Sequence, residues 1–249
     1  MKTAICIKRV PDTEARIRVA ADGKSIDQSG LKYVVSPYDE FAVEAALRLK
    51  DATGEGETVS VSLGGAPAGE QLRATLAMGV DRAIRLDGEG SMDGLAVARA
   101  LAAELKALAP DLILCGTKAA DDDQHQVGPM LAELLGLPCV TVVAELEMDG
   151  ERLVCHREGE SGTEIVEVDL PAVVTITKGP HEPRYPSLKG IMAAKKKPLD
   201  EKPAQGAASR VKVRRYSEPP PRPEGKIVGE GAEAVPELVR LLREEAKVL

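Results

Sequence analysis

Between an apolar run, Leu112, Ile113 and Leu114, and an apolar stripe, Val127, Met130, Leu131, Leu134 and Leu135, lies the most chemically versatile stretch of the chain. It holds Thr117, Lys118, the consecutive aspartates Asp121, Asp122 and Asp123, then Gln124, His125 and Gln126. The run suits a strand covered on both faces, and the stripe at i, i+3, i+4, i+7 and i+8 predicts a helix packed on its sheet. Small and polar residues at such a junction suit a phosphate-bearing ligand. In an open α/β sheet ligands bind at the carboxyl ends of the strands, where a helix start points unpaired N–H groups at them. A second glycine-bearing junction, GGAPAGE at 64–70, matches neither common phosphate-loop pattern and reads equally well as a tight turn. Other chemistries find no support. Cys6, Cys115, Cys139 and Cys155 form no CxxC pair, and three of them sit in strand-like runs, so buried structural thiols are expected. His125, His156 and His181 lack metal-ligand spacing, and no catalytic triad or acid/base pair stands out.

The elements that must position this loop alternate in type. A first strand is expected over 2–8, stopped by a turn at Pro11, and a hairpin around Asp22-Gly23 pairs Ile17 and Val19 with Ile26. Ser36-Pro37 marks a helix start, with Ser as N-cap, Pro at the first helical position and Asp39 and Glu40 in the first turn; the helix runs to about Leu49 with Phe41, Ala45 and Leu49 inward. Strands over 57–63 and 81–86 alternate with helices to Leu76 and over 95–108, the spacing of a parallel sheet covered by helices on both faces. After Gly136 the pattern turns β-rich: runs at 139–147, 152–157, 163–168 and 172–177 suit antiparallel strands extending that sheet. The fold class is therefore α/β, with a nucleotide-binding domain over 1–178. Residues 179–249 are proline-rich and weakly periodic until a final helix from Val235, and read as a C-terminal arm lying on another subunit.

Composition narrows the function classes. The 249 residues carry a net charge of −7, yet residues 184–215 hold ten Lys and Arg against only Asp200 and Glu201. That asymmetry suggests a basic segment meeting an acidic or phosphate-bearing partner, or a solvated charge run. With no Trp and one Phe there is little aromatic surface to stack bases, so no nucleic-acid binding is expected. No segment approaches the ~20 apolar residues of a membrane helix, and MKTAICIKRVPD lacks an export-signal pattern, so a cytoplasmic protein without membrane insertion is expected.

Six segments in order, KRVPD (8–12), SPYDEFAVEAALRLK (36–50), LAMGVDRAIRL (76–86), LILCGTKAADDD (112–123), LPAVVT (170–175) and EPRYPSLKGIMAAKKK (182–197), resemble the beta-subunit family of electron transfer flavoproteins. The resemblance implies an adenine nucleotide hydrolase-like domain, a heterodimer with an alpha subunit that holds most of a redox-active FAD, and a structural AMP in this subunit. It further implies electrons arriving from dehydrogenases such as acyl-CoA dehydrogenases and leaving to a quinone oxidoreductase, so that the subunit is a carrier and not an enzyme. An electron-bifurcating branch is similar and holds a second FAD where AMP would be; a stand-alone nucleotide-binding module is a further alternative. Carried over residue by residue, the nucleotide site falls on Cys6, on Ser36, Pro37, Tyr38 and Asp39, on Leu63, and on Gly116, Thr117, Lys118, Ala119, Ala120, Asp121, Asp122, Asp123, Gln124, His125, Gln126 and Val127. The loop departs from the family's usual pattern at Thr117-Lys118, Ala120 and Val127, where many AMP binders have Lys-Gln, Ile and Thr; the Gln126 to Pro129 run resembles some bifurcating members. The family's partner-recognition segment falls on Tyr185, Leu188, Ile191 and Met192, with Leu188 as the apolar anchor.

Three aspartates beside a phosphate need a division of labour. Two unit charges about 6 Å apart repel by roughly 2–3 kcal/mol at an effective dielectric near 20, so they cannot all face the anion. The expected arrangement has one carboxylate capping the helix, another accepting from ribose hydroxyls, and backbone N–H groups of residues 124–127 binding phosphate.

Overall fold

The computed structural model describes residues 1–88, 92–205, 208–222 and 224–249. Its elements in chain order are β1 (Lys2–Cys6), β2 (Arg9–Pro11), β3 (Tyr33–Val35), α1 (Pro37–Thr53), β4 (Glu57–Leu63), α2 (Ala68–Met78), β5 (Arg82–Asp87), α3 (Gly94–Leu108), β6 (Leu112–Gly116), α4 (Val127–Leu135), β7 (Cys139–Asp149), β8 (Arg152–Gly159), β9 (Gly162–Asp169), β10 (Ala172–Ile176), α5 (Leu188–Ala194), β11 (Leu199–Pro203) and α6 (Val235–Glu244). The chain divides into two compact units, Met1–Ile17 with Asp27–Arg214, and Arg18–Ile26 with Arg215–Leu249.

In the larger unit a nine-stranded sheet, counted among the described residues, runs β11-β5-β4-β1-β6-β10-β7-β8-β9. Every neighbour pair from β11 to β7 is parallel, and only the β7–β8 and β8–β9 pairs are antiparallel. Residues of the central strands alternate between two cores. Ile5, Leu112, Leu114 and Val174 pack with Ala42, Val43, Leu47, Leu72 and Leu76 of α1 and α2. On the opposite face Cys6, Val61, Ile113, Cys115 and Val173 meet Leu101 and Leu105 of α3 and Leu131 of α4. Such two-sided burial is why these strands read as unbroken apolar runs.

Three expectations change. β10 is not part of the antiparallel extension: it inserts between β6 and β7, parallel to both. Its AVVTI sequence, buried at every position, is that of an interior strand. The turn expected at Pro11 is instead strand β2, paired antiparallel with β3; Pro11 sits at its last position, where a missing donor is tolerated. β11, LDEKP, adds to β5 beyond residue 178 with no apolar pattern to announce it. Charged residues and a terminal proline suit a sheet edge, and ion pairs of Arg85 with Glu201 at 3.1 Å and Lys202 with Glu104 at 2.6 Å hold it there.

Residues 182–197 are also packed more firmly than their sequence suggests. Arg73 on α2 donates to Ala194 O at 2.6 Å and Lys197 O at 2.8 Å, closing the end of α5. Lys197 in turn donates to Leu76 O, Gly79 O and Val80 O at 3.1, 3.2 and 2.6 Å, closing the end of α2. One member of the expected basic run is thus an internal helix cap, and burial lowers its pKa.

In the smaller unit the expected hairpin reduces to a single bridge, Val19 with Ile26, around a turn in which Asp22 accepts from Lys24 N at 2.8 Å. Tyr216 N donates to Gly23 O at 2.8 Å. α6 leaves Val235 and Leu238 exposed, while Arg240 bridges Glu237 and Glu244 at 2.7 Å each.

Candidate functional site

The sheet changes direction of progression at β1. From it the chain adds β4 and β5 on one side, then returns to place β6 on the other, which makes the gap between the carboxyl ends of β1 and β6 the topological switch point. Asp39, in the first turn of α1, fills the neck of this gap: its carboxylate accepts from Lys8 N at 2.7 Å and Gly116 N at 3.0 Å. Burial pushes its pKa up to about 7, against the lowering effect of those two N–H bonds. The close approach requires Gly116, because a side chain there would begin 2.8 Å from Tyr38 Cβ.

The loop between β6 and α4 lies over this neck. Ser36 stands at the N-cap of α1 but makes no cap bond; its hydroxyl accepts instead from Ala120 N at 3.4 Å. The helix cap expected from one of the aspartates is corrected. None caps α4. Asp121 and Asp122 both accept from Lys8 Nζ, at 2.7 and 2.8 Å, and Asp123 pairs with Lys118 Nζ at 2.9 Å. Lys8 lies just after β1, and pairing two carboxylates with it offsets part of the repulsion that the run would otherwise carry. Burial alone would lower the pKa of Lys8, but its bonds to Asp121 and Asp122 raise it. Lys118 also lies over the Tyr38 ring, 5.5 Å from its centre.

Asp123 and His125 turn through the left-handed region, at φ 49° and 54°, and lead the chain into α4. No side chain caps this helix, whose N-cap is Gln126 and whose first residue, Val127, has no hydroxyl to offer. The N–H groups of Val127 and Gly128 therefore lack an intrahelical partner, and Pro129 has none to satisfy. The start of α3 is adjacent, since Gln126 Oε1 lies 3.2 Å from where a Gly94 side chain would begin. There the contrast is sharp: Asp93 caps α3 through Ala96 N at 2.8 Å and also accepts from Arg210 N and Val211 N. Those bonds hold its pKa well below the usual carboxylate range. Of two neighbouring helix starts, one is closed by its own carboxylate and the other is left open, which is the chemistry an anion requires.

The remaining expected residues fall around this centre. Cys6 ends β1 opposite Cys115 on β6, beneath the neck, and Cys6 together with burial drives the Cys115 thiol well above its ordinary pKa. Cys155 is buried as well, whereas Cys139 is exposed at the first residue of β7, against the expectation of buried thiols. Leu63 ends β4, one strand from the gap, partly buried in the α3–α4 core. The 64–70 junction is a tight turn: Gly64 N is committed to Leu86 O at 3.0 Å, and its carbonyl accepts from Arg85 at 3.0 Å. A separate groove of about 370 Å³ lies on the far half of α1 against β7, lined by Phe41, Leu49, Leu146 and Met148. Among the described residues no cluster of His, Cys, Asp or Glu is placed to hold a metal ion, and no helix is long and apolar enough to cross a membrane.

Tyr185, Leu188, Ile191 and Met192 come together on α5 and the loop before it, all exposed, Tyr185 at 95% and Leu188 at 85%. Leu188 opens the helix instead of sitting in a free loop, with Ser187 Oγ capping Gly190 N at 3.0 Å. The base of this segment is clamped to α1. Glu44, 6% exposed, accepts from Arg184 N at 3.0 Å, Nε at 2.8 Å and Nη2 at 3.0 Å. Sequence reasoning missed Lys8 and Glu44 as organising residues, since each partner lies more than a hundred positions away.

The electron transfer flavoprotein domain model matches residues 24–206. The chain is 42% identical over 249 residues to the electron transfer flavoprotein subunit beta of Syntrophomonas wolfei, covering 100% of this chain and 98% of that one. The Bacillus subtilis subunit beta is 40% identical over 260 residues, with both chains fully covered. A mitochondrial subunit beta from Arabidopsis thaliana is 36% identical over 255 residues, again across the full length of both. With a mostly parallel α/β sheet and these full-length relatives, the chain belongs to the electron transfer flavoprotein beta-subunit family.

Proposed function

We propose that this chain is the beta half of a heterodimeric electron carrier in the cytoplasm, and that its switch-point crevice holds a structural AMP. The observation that carries the nucleotide assignment is the open start of α4 beside a loop whose aspartates are each already paired with a lysine. An adenine nucleotide fits that arrangement. Its phosphate would meet main-chain N–H groups of residues 126–128 with no opposing free carboxylate, and the amides of Gln124 and Gln126 flank the same space. Asp39 and Ser36 shape the site by holding β1, β6 and the loop together, and are positioning residues rather than ligands.

The redox group of the proposed complex is an FAD bound mainly by the alpha subunit, and it supplies the electron chemistry. This chain's contribution is to order its own half of the complex and to present α5 to a dehydrogenase, such as an acyl-CoA dehydrogenase, before electrons pass to a quinone oxidoreductase. An exposed Leu188 on a helix clamped at both ends suits an anchor entering an apolar pocket. The test is to purify the chain with its alpha partner and follow the flavin absorbance. An acyl-CoA and its dehydrogenase should bleach it, and NADH alone should not. Bleaching by NADH alone would overturn this assignment in favour of an electron-bifurcating flavoprotein with a second FAD in the crevice.

A further inference from the structure

The three aspartates ahead of α4 pose an electrostatic problem that the crevice itself answers. A run of carboxylates immediately before an open helix start should repel the anion which that start attracts. Each is paired: Asp121 and Asp122 with Lys8 at 2.7 and 2.8 Å, Asp123 with Lys118 at 2.9 Å. Of the two lysines, Lys8 does more, because one ammonium serves two carboxylates and comes from a different part of the chain, 113 and 114 residues away. Its position is fixed from below, since Lys8 N is bonded to buried Asp39 and Ser36 N donates to Lys8 O at 3.0 Å. The ammonium thus projects from the switch point itself. The Lys8, Asp121 and Asp122 side chains are 39, 30 and 38% exposed, so solvent and salt screen the interaction in part.

The geometry points to Lys8 as the residue that sets the crevice's preference for a charged nucleotide over an uncharged one. Resting on the nucleotide reading above, it acts as a positioning residue through Asp121 and Asp122: it holds their carboxylates toward β1 and offsets part of their field at the start of α4. It need not touch the ligand. The consequence is specific. Loss of Lys8 penalises ligands in proportion to their phosphate charge, whereas loss of a merely structural contact weakens every adenine ligand alike.

The test measures dissociation constants of AMP, FAD and adenosine by calorimetry, using the full chain in complex with its alpha subunit, freed of nucleotide in this crevice. In Lys8→Gln, AMP and FAD are expected to bind about tenfold more weakly while adenosine changes less than about twofold. The gap should shrink as salt is raised. Lys8→Arg should restore the wild-type ratio, and adding Asp121→Asn with Asp122→Asn to Lys8→Gln should restore most of it. Should Lys8→Gln fail to fold, Asp121→Asn with Asp122→Asn alone decides the matter: with Lys8 left unpaired, the AMP-to-adenosine preference must rise, and a fall overturns the proposal. Equal weakening of AMP and adenosine in Lys8→Gln also overturns it, leaving Lys8 a structural contact. If the wild-type complex binds none of the three, the nucleotide reading itself fails, and this proposal falls with it.

Discussion

The crevice and the α5 segment use charged side chains for opposite ends. In the crevice, charged side chains are committed within the protein: Asp39 to the main-chain N–H groups of Lys8 and Gly116, Lys8 to two aspartates, Lys118 to a third. What remains directed at a ligand is main chain, the open start of α4. Around α5 the ions grip the backbone from behind, Arg184 on Glu44, Lys197 on the carbonyls ending α2, and what remains directed outward is apolar, Tyr185, Leu188 and Met192. Charge does the holding in both places, and the group it leaves free decides what each surface can recognise. The two regions share an element, for α1 carries Asp39 in its first turn and Glu44 in its second.

The comparison breaks first if the α5 clamp is not a buried ion pair in energetic terms. Arg184→Ala leaves the Glu44 carboxylate buried without its partner, and the denaturation midpoint should fall by the equivalent of about 3 kcal/mol. A loss below about 0.5 kcal/mol would rank it with ordinary surface bridges. Lys197→Met should cost about 1–2 kcal/mol, because carbonyls at the end of α2 lose a charged donor. Hydrogen exchange would show the last turn of α2 opening first.

On the crevice side the expected effect is a pH dependence. Asp39 has a folded pKa of about 7, raised above its ordinary value of 3.8. The folded state therefore binds the proton more tightly, and this group's contribution to stability is full at low pH and lost as pH rises through about 7. Relative to Asp39→Asn, the wild type should gain stability as pH is lowered from about 7 toward 4, in parallel denaturant titrations. A difference that is flat across that window would mean Asp39 is no more protonated when folded than when unfolded.

The smallest effect on stability, and the largest on function, belongs to Leu188→Ala. An 85% exposed side chain should cost under about 0.5 kcal/mol, leaving the flavin spectrum and heterodimer intact while electron transfer from the partner dehydrogenase slows. Dissociation of the mutant heterodimer would instead make Leu188 a subunit contact.

Most elements of the sheet were legible because their patterns are local. The Ser36-Pro37 start, the α4 stripe and the apolar β6 run all stand where periodicity puts them. What escaped was decided by partners distant in sequence. β11 has no apolar face to reveal it, since an edge strand is held by hydrogen bonds and ion pairs to one neighbour. β10 reads as apolar, yet its parallel seat between β6 and β7 is a matter of topology. Within the site, Ser36 looked like a helix cap and bonds the loop instead, and an aspartate looked like the cap of α4, whereas Lys8 holds two of them and none caps. A lysine directly after the first strand was the available signal, because a charge there sits at the carboxyl edge where α/β sheets bind ligands.

The central claim is that an adenine nucleotide other than the flavin's own resides in this crevice. Mass spectrometry of nucleotides released by acid from the purified heterodimer tests it most directly. The account predicts FAD and AMP in about equal amounts; one FAD with no further adenine nucleotide would contradict it.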